Sequence, residues 1–350
     1  MRFSKRRETV GIDIGSSSVK LVQLKKVKGA FHLVNLGVLP LPAEAIVDNT
    51  IMDSSSIVET IKQLMQSLRI NAGDAVSSIS GNSVIIRKIV LPAMASEELE
   101  EQIQWEAEQY IPFDLNDVNI DFQILGPDEN DPSKMLVLLV ASKKENVNDY
   151  VSVFNESGLK LAVMDVDAFA LQNAFESNYD VFPEEVIGLV NIGANIMNLN
   201  VVKNGSSLFT RDVQLGGSLY TEEIQKQFGI STEEAEQIKI SGNCQDPDRL
   251  LELITRLNDT MALEMRRSLD FYNSTAGEGK IAKIFLSGGG AKIAQLTEAV
   301  SGRLGVPVEI LNPFKKLDHD NNAFEPELLA EIAPLMTIAM GLATRRLGDK

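Results

Sequence analysis

VGIDIGSSSVKLVQL, residues 10–24, sets apolar side chains at Val10, Ile12 and Ile14, breaks them with a glycine and three serines, and resumes alternation at Val19, Leu21 and Leu24. Alternation of this kind marks half-buried strands, so the stretch predicts a β-hairpin with its tip at residues 15–18. Gly15 can take a positive φ, and the small residues after it leave N–H groups and hydroxyls pointing at whatever fills the turn. With Asp13 at the lip, the tip suits phosphate oxygens and a cation held through water. An ordinary hairpin of an α/β protein has the same pattern, so the rest of the chain must decide between them.

LVNIGANIMNLNVV, residues 189–202, lies under the first stretch at one constant offset: Asn191 under Asp13, Gly193 under Gly15, Met197 under Val19 and Leu199 under Leu21. The next turn recurs as well, Asn204-Gly205 standing near the place of Lys28-Gly29. Two such units imply a duplicated domain whose halves close around a shared cleft, where two small-residue turns could grip a polyphosphate from both sides. Further on, KIFLSGGGAKI at residues 283–293 reads as strand, turn and helix. Gly288, Gly289 and Gly290 cost backbone entropy, which predicts an approach too close for a Cβ, by a flat purine or an α-phosphate, unless the turn is simply flexible.

The chain has 350 residues, enough for two or three domains with ample core, and its 44% hydrophobic and 23% charged content is that of a soluble globular protein. Its 33 basic against 49 acidic residues give a net charge of −16, a field that opposes nucleic acid as a main partner. A single cysteine, Cys244, excludes an internal disulfide framework and, with no signal peptide, fits a reducing cytoplasm. The most strongly apolar run, MLVLLVA at residues 135–141, is far too short to cross a bilayer and reads as a buried strand. The basic opening MRFSKRRE is expected to be a solvated end rather than a membrane anchor.

In order, the first unit reads β-β-β-α-β, with its helix capped from Ser54 to Ser56. From residue 82 the texture changes to a small α+β unit: a strand, an acidic helix capped by Ser96, two further strands, and a helix over 144–156. Trp105 lies off the apolar stripe of the acidic helix, as a partner contact or, more commonly for such a residue, packed on the parent domain. A strand near 161–165 and a helix over 167–175 lead to the second hairpin, and a long amphipathic helix over 249–272 precedes the triple glycine.

The two hairpins, EEAEQIK at residues 233–239 and the triple-glycine turn, in that order, resemble the nucleotide-binding fold shared by actin, sugar kinases and heat-shock chaperone ATPases. Over essentially its whole length the chain resembles the PilM family of type IV pilus assembly proteins, relatives of the cell-division protein FtsA, with GIDIGSSSVK and EAEQYIPF carrying the likeness. The resemblance implies an α/β, actin-like (ribonuclease H-like, duplicated) ATPase fold with an FtsA-like inserted α+β subdomain. Its parts would be residues 1–81 and 161–185 for the first subdomain, 82–160 for the insert, 186–217 with 280–333 for the second, 218–279 for a helical subdomain, and 334–350 for a terminal helix on the first.

The same resemblance implies ATP and Mg²⁺ as ligands. Gly15, Ser16, Ser17 and Ser18 would hold the β- and γ-phosphates with Lys20 nearby, and Asp13 would order Mg²⁺ through water. Gly193, Ala194 and Asn195 would face the same phosphates, Gly216 and Gly217 would lie near sugar and phosphates, Glu236 and Lys239 would meet ribose and adenine, and Gly288, Gly289 and Gly290 would back the nucleotide. Asp165, with Asp167 as fallback, would orient the attacking water. The implied partner is the cytoplasmic N-terminal segment of the inner-membrane protein PilN, in a groove to which Ile103, Ala107, Tyr110, Ile111 and Phe113 offer apolar lining or, equally, core. Assembly ATPases and the platform protein would be further partners, and the chain would be cytoplasmic, reaching the inner membrane only through them.

One departure bears on activity. Many relatives carry an aspartate where this chain has Asn191, which hydrogen-bonds but adds no charge near the metal. The expectation is tight ATP binding with slow hydrolysis at most. Two rivals share the fold: a small-molecule kinase, which would need a base over a substrate hydroxyl, and an FtsA-like filament former, whose self-association the sequence leaves open. FtsA relatives reach the membrane by an amphipathic helix after a C-terminal linker, whereas this sequence stops at RRLGDK just past its last helix. No Walker motif, dinucleotide fingerprint or His/Cys metal cluster is present in the sequence.

Overall fold

A computed structural model describes residues 9–128, 131–180, 182–275, 277–320, 324–346 and 348, apart from the side chain of Asn82. The basic opening, expected to be a solvated end, lies outside the described residues.

The first half begins with β1 (Thr9–Ile14), β2 (Ser18–Val27), β3 (Ala30–Pro40), the short pair β4 (Ile46–Val47) and β5 (Thr50–Ile51), α1 (Ser54–Ser67) and β6 (Asp74–Ile79). The α1 cap is Asp53 rather than one of the serines, its carboxylate accepting from Ser56 N at 3.0 Å. The inserted unit follows as β7 (Val84–Pro92), α2 (Ser96–Ala107), β8 (Val118–Pro127) and β9 (Lys134–Lys143). Then come α3 (Lys144–Glu156), β10 (Lys160–Val166) and α4 (Asp167–Glu176). The second half holds β11 (Val186–Ile192), β12 (Met197–Lys203), β13 (Ser206–Val213), α5 (Ser218–Phe228), α6 (Thr232–Ser241), α7 (Pro247–Thr275), β14 (Ile281–Ser287), α8 (Leu296–Leu304), β15 (Val308–Ile310), β16 (Asp318–His319), α9 (Pro326–Ile332) and α10 (Thr337–Thr344).

The duplication expected from the two hairpins is present in the sheets. One runs β10-β6-β1-β2-β3, with β16 added at its edge, and the other runs β15-β14-β11-β12-β13 in the same order. In each, a hairpin strand lies antiparallel to its partner and parallel to a strand from beyond the helices. The likeness extends to single bonds. Gly15 N donates to Ser18 O at 3.0 Å and Gly193 N to Ile196 O at 2.8 Å. Ser77 Oγ donates to Ile12 O, and Ser287 Oγ to Val190 O, at equivalent places on the two central strands.

The halves exchange helices. α10, from the end of the chain, covers β1 and β2 of the first sheet, while α4, from the first half, lies against β11 and β12 of the second. They cross at Gly341, where a Cβ would collide with the Ala170 carbonyl. The apolar face so formed joins Val76, Ala170 and Leu171 to Leu189, Ile338 and Leu342 in one core. This accounts for residues 326–344, a 19-residue helical stretch of mean hydropathy 1.4 that is long and apolar enough to cross a membrane yet is 61% buried inside the fold. Pro334 falls inside that stretch, and its apolar faces are consumed by packing.

The inserted unit is a three-stranded sheet, β7-β9-β8, with α2 on one face around a core of its own. Ser96 is the first residue of α2, and no side chain caps that end. α3, grouped by the sequence with the insert, instead sends Tyr150, Val153 and Phe154 into the first-half core beside Ile57 and Ile61 of α1. Trp105 is 76% exposed and does not pack on the parent domain.

Candidate functional site

A cleft of ≈ 730 Å³, including its open mouth, lies between the halves, and both hairpin tips line it. The structure brings together there Asp13, Gly15, Ser16, Ser17 and Lys20 from the first half, Asn191, Gly193, Ala194 and Asn195 from the second, and Asp167 at the start of α4.

Antiparallel register sets Asp13 directly opposite Lys20, and Lys20 Nζ lies 3.0 Å from Asp13 Oδ2 with both side chains largely buried. Gly15 does not adopt a positive φ, and a Cβ there would sit 2.8 Å from Lys20 Nζ, the movable end of that side chain. In the second hairpin the same register sets Asn191 opposite Asn198, and Asn191 Nδ2 donates to Asn198 Oδ1 at 3.1 Å. The duplicated site thus carries an ion pair in one half and a neutral amide pair in the other.

Asp167 is the second carboxylate of the cleft. Burial, and then the neighbouring Asp13 charge, push it up to about 7, although Ser78 Oγ donates to it at 2.6 Å. Asp165, the first candidate for orienting water, is turned away from the cleft. Its Oδ1 accepts from Val166 N, and its Oδ2 lies 3.0 Å from Arg345 Nε, just past α10, without hydrogen-bond alignment. Burial raises the Asp165 carboxyl above its ordinary range, and the Arg345 charge opposes the rise.

The other expected site residues lie outside the lining of this cleft. Ser18 is buried at the start of β2, outside the cleft lining. Gly217 N and Ser218 N donate to the carbonyls of Gly193 and Ala194, so Gly216 and Gly217 brace the second tip from behind. Lys239 Nζ bonds Gly217 O and Glu236 Oε2, and Thr221 Oγ1 also donates to Glu236, a small polar cluster beside that brace. A Cβ on Gly288 or Gly290 would strike Ile192 at the end of β11, so protein already makes a close approach to both. Gly289 alone of the three is exposed.

Of the expected partner lining, Ile103, Ala107 and Ile111 are core of the inserted unit, buried with Leu99 and Leu139, because they form the one apolar stripe that α2 and its exit turn toward the sheet. Tyr110 and Phe113 are half-buried at the edge of that core, Phe113 under Lys143 Nζ at 4.9 Å.

The description of the family "Type IV pilus assembly protein PilM" matches residues 11–347. The chain belongs to the PilM family. Among solved structures, this PilM-family chain is similar to the "PilM-PilN type IV pilus biogenesis complex", with a TM-score of 0.88 and 30% identity over 97% of this chain and 98% of that one. It is also similar to the ethanolamine utilization protein EutJ from Carboxydothermus hydrogenoformans, with a TM-score of 0.59 and 15% identity over 98% and 91% of the two chains. MreB 5 of Spiroplasma citri, bound to AMPPNP, gives a TM-score of 0.53 and 12% identity over 96% and 95%. The last two likenesses are of fold alone. The PilM-family chain is a type IV pilus assembly protein with an actin-like fold.

Sequence reasoning missed part of the cleft: Asn49, Ser80, Ser83, Asn146, Tyr150 and Asn198 also line it. Asn198 was within reach, since it stands under Lys20 at the hairpin offset. Tyr150 was not, because it falls on the apolar stripe of a helix read as part of the insert.

Proposed function

We propose that this PilM-family chain binds ATP with Mg²⁺ between its halves, turns it over slowly at most, and uses the bound state to hold a partner segment in a pilus assembly platform. The observation that carries the reading is the pair of facing hairpins, one bearing Asp13 and Lys20 and the other Asn191 and Asn198, that line one cleft between the halves. The residues present fit a polyphosphate: one buried lysine, two small-residue tips with their N–H groups, and hydroxyls and amides around them. Gly15 to Ser17 and Gly193 to Asn195 would hold the phosphates, and Asp13 and Asn191 would hold Mg²⁺ through water. No group of three His, Cys, Asp or Glu able to hold a metal occurs among the described residues, which suits a cation ligated mainly by phosphate and water.

Bound Mg²⁺ would supply charge stabilisation at the transferring phosphoryl group. What this chain contributes is one charged carboxylate at the metal position, a neutral amide opposite, and Asp167 rather than Asp165 within the cleft to take a proton from water. With Asn191 adding no charge near the metal, stabilisation of the transition state falls further than ground-state binding does. Turnover is expected well below ~1 s⁻¹, the low end for kinases.

The partner reading rests on the structural relative solved with PilN, whose place here would be taken by the N-terminal segment of the PilN encoded in the same genome. Such a role puts the chain in the cytoplasm, attached to the inner membrane through that partner. A thermal-shift titration with Mg-ATP, repeated with that synthetic peptide, tests both halves of the proposal. Independent stabilisation by each, with the peptide effect lost in Tyr110→Ala, is the expected result. Stabilisation by ATP with no response to the peptide would refute the scaffold role and send the search to kinase substrates and filament sedimentation.

A further inference from the structure

The inner wall of the cleft holds two hydroxyls that nothing in the nucleotide reading uses. Tyr150, on α3, is 94% buried at 6% exposure, lines the cleft, and makes no hydrogen bond to any described residue. The cleft it lines is also lined by Asp13 and Asp167, and its phenol O–H is a donor that carries no charge. Ser83 also lines the cleft, and its Oγ is buried without a hydrogen-bond partner. A buried hydroxyl left without a partner costs free energy, so Ser83 calls for an explanation, while Tyr150 lines the same cleft with a hydroxyl that bonds no described residue. These two flank the inserted unit along the chain, Ser83 just before its first strand and Tyr150 on the helix after its last.

Resting on the nucleotide reading above, we infer that Tyr150 and Ser83 read the terminal phosphoryl group and so distinguish nucleoside triphosphate from diphosphate. The carboxylates Asp13 and Asp167 repel a bare anion at that end. A γ-phosphate with its cation can lie there, and it needs donors that carry no charge; the two hydroxyls supply them. A diphosphate ends short of this wall and leaves both hydroxyls unpaired.

The test is calorimetric titration of the full chain with Mg-AMPPNP and with Mg-ADP, for the unaltered protein, Tyr150→Phe and Ser83→Ala. A hydrogen bond to a charged acceptor predicts a loss of about 10-fold or more in AMPPNP affinity for either variant. ADP affinity should stay within about 2-fold, and the unliganded melting temperature should not fall, because neither hydroxyl has a protein partner to lose. An unchanged AMPPNP-to-ADP ratio in both variants overturns the inference while leaving the nucleotide reading intact. Failure of the unaltered protein to bind either nucleotide overturns both.

Discussion

Asp167, half-buried at the root of α4, feels the charge of Asp13 and, more weakly, the carboxylate of Asp212. In the unfolded chain the group titrates near its ordinary 3.8, and in the folded chain near 7. The folded protein therefore holds this proton more tightly between those values, so its stability falls as pH rises through that window and the cost is fully present above it. Asp167→Asn, which keeps an acceptor for Ser78 Oγ, is expected to melt higher than the unaltered protein at pH 8, by a few kcal/mol at most, with the gap closing as pH falls toward 4. Melting curves across pH 4 to 8 without nucleotide check it; a gap independent of pH would show that the carboxylate is not the strained group. Asp13, Gly15 and Lys20 were legible because a period of two and a glycine-serine tip are local signals. Asp165 and Asp167, two residues apart, look alike in sequence, and only the neighbour of each, Arg345 for one and Asp13 for the other, separates their surroundings.

At the scale of elements, strands and helices followed from alternation, amphipathic spacing and breakers, and the two sheets repeat each other strand for strand. What local pattern did not reveal is contact between distant segments: α3 belonging to the body, Gly288 and Gly290 packing on Ile192, and the crossing of α4 with α10. The crossing can be tested directly. A methyl at Gly341 meets a backbone oxygen of α4, which cannot rotate away as a side chain could. Gly341→Ala should cost about 3 kcal/mol or more and lower Tm by roughly 5 °C or more. Gly302→Ala in α8, where a Cβ meets nothing, should be neutral or gain up to about 1 kcal/mol from helix propensity. Equal effects of the two changes would mean that the crossing is looser than the geometry here.

Across the whole molecule, a chain of hydrogen bonds leads from the second hairpin to the root of the inserted unit. Asn191 donates to Asn198, Asn198 donates to Asp212 Oδ1 at 2.8 Å, and Gly81 N, just before the insert, donates to Asp212 Oδ2 at 2.5 Å. Desolvation raises the Asp212 carboxyl, and the hydrogen bonds from Asn198 and Gly81 oppose the rise. Lys88 of β7 and Glu278 of the second half, 2.7 Å apart on the surface, add a weaker, salt-screened tie between the same bodies. Tightening of the cleft on a ligand would pull on Gly81 through this route and so on β7, whereas the α4–α10 crossing passes force only between the two main sheets. Asp212→Ala strands the Gly81 and Asn198 donors, and its expected effect is on transmission: AMPPNP affinity within a few-fold, but loss of the nucleotide-induced hydrogen-exchange protection expected over residues 84–92 in the unaltered protein. If that protection survives the substitution intact, the Asp212 route carries structure without signal.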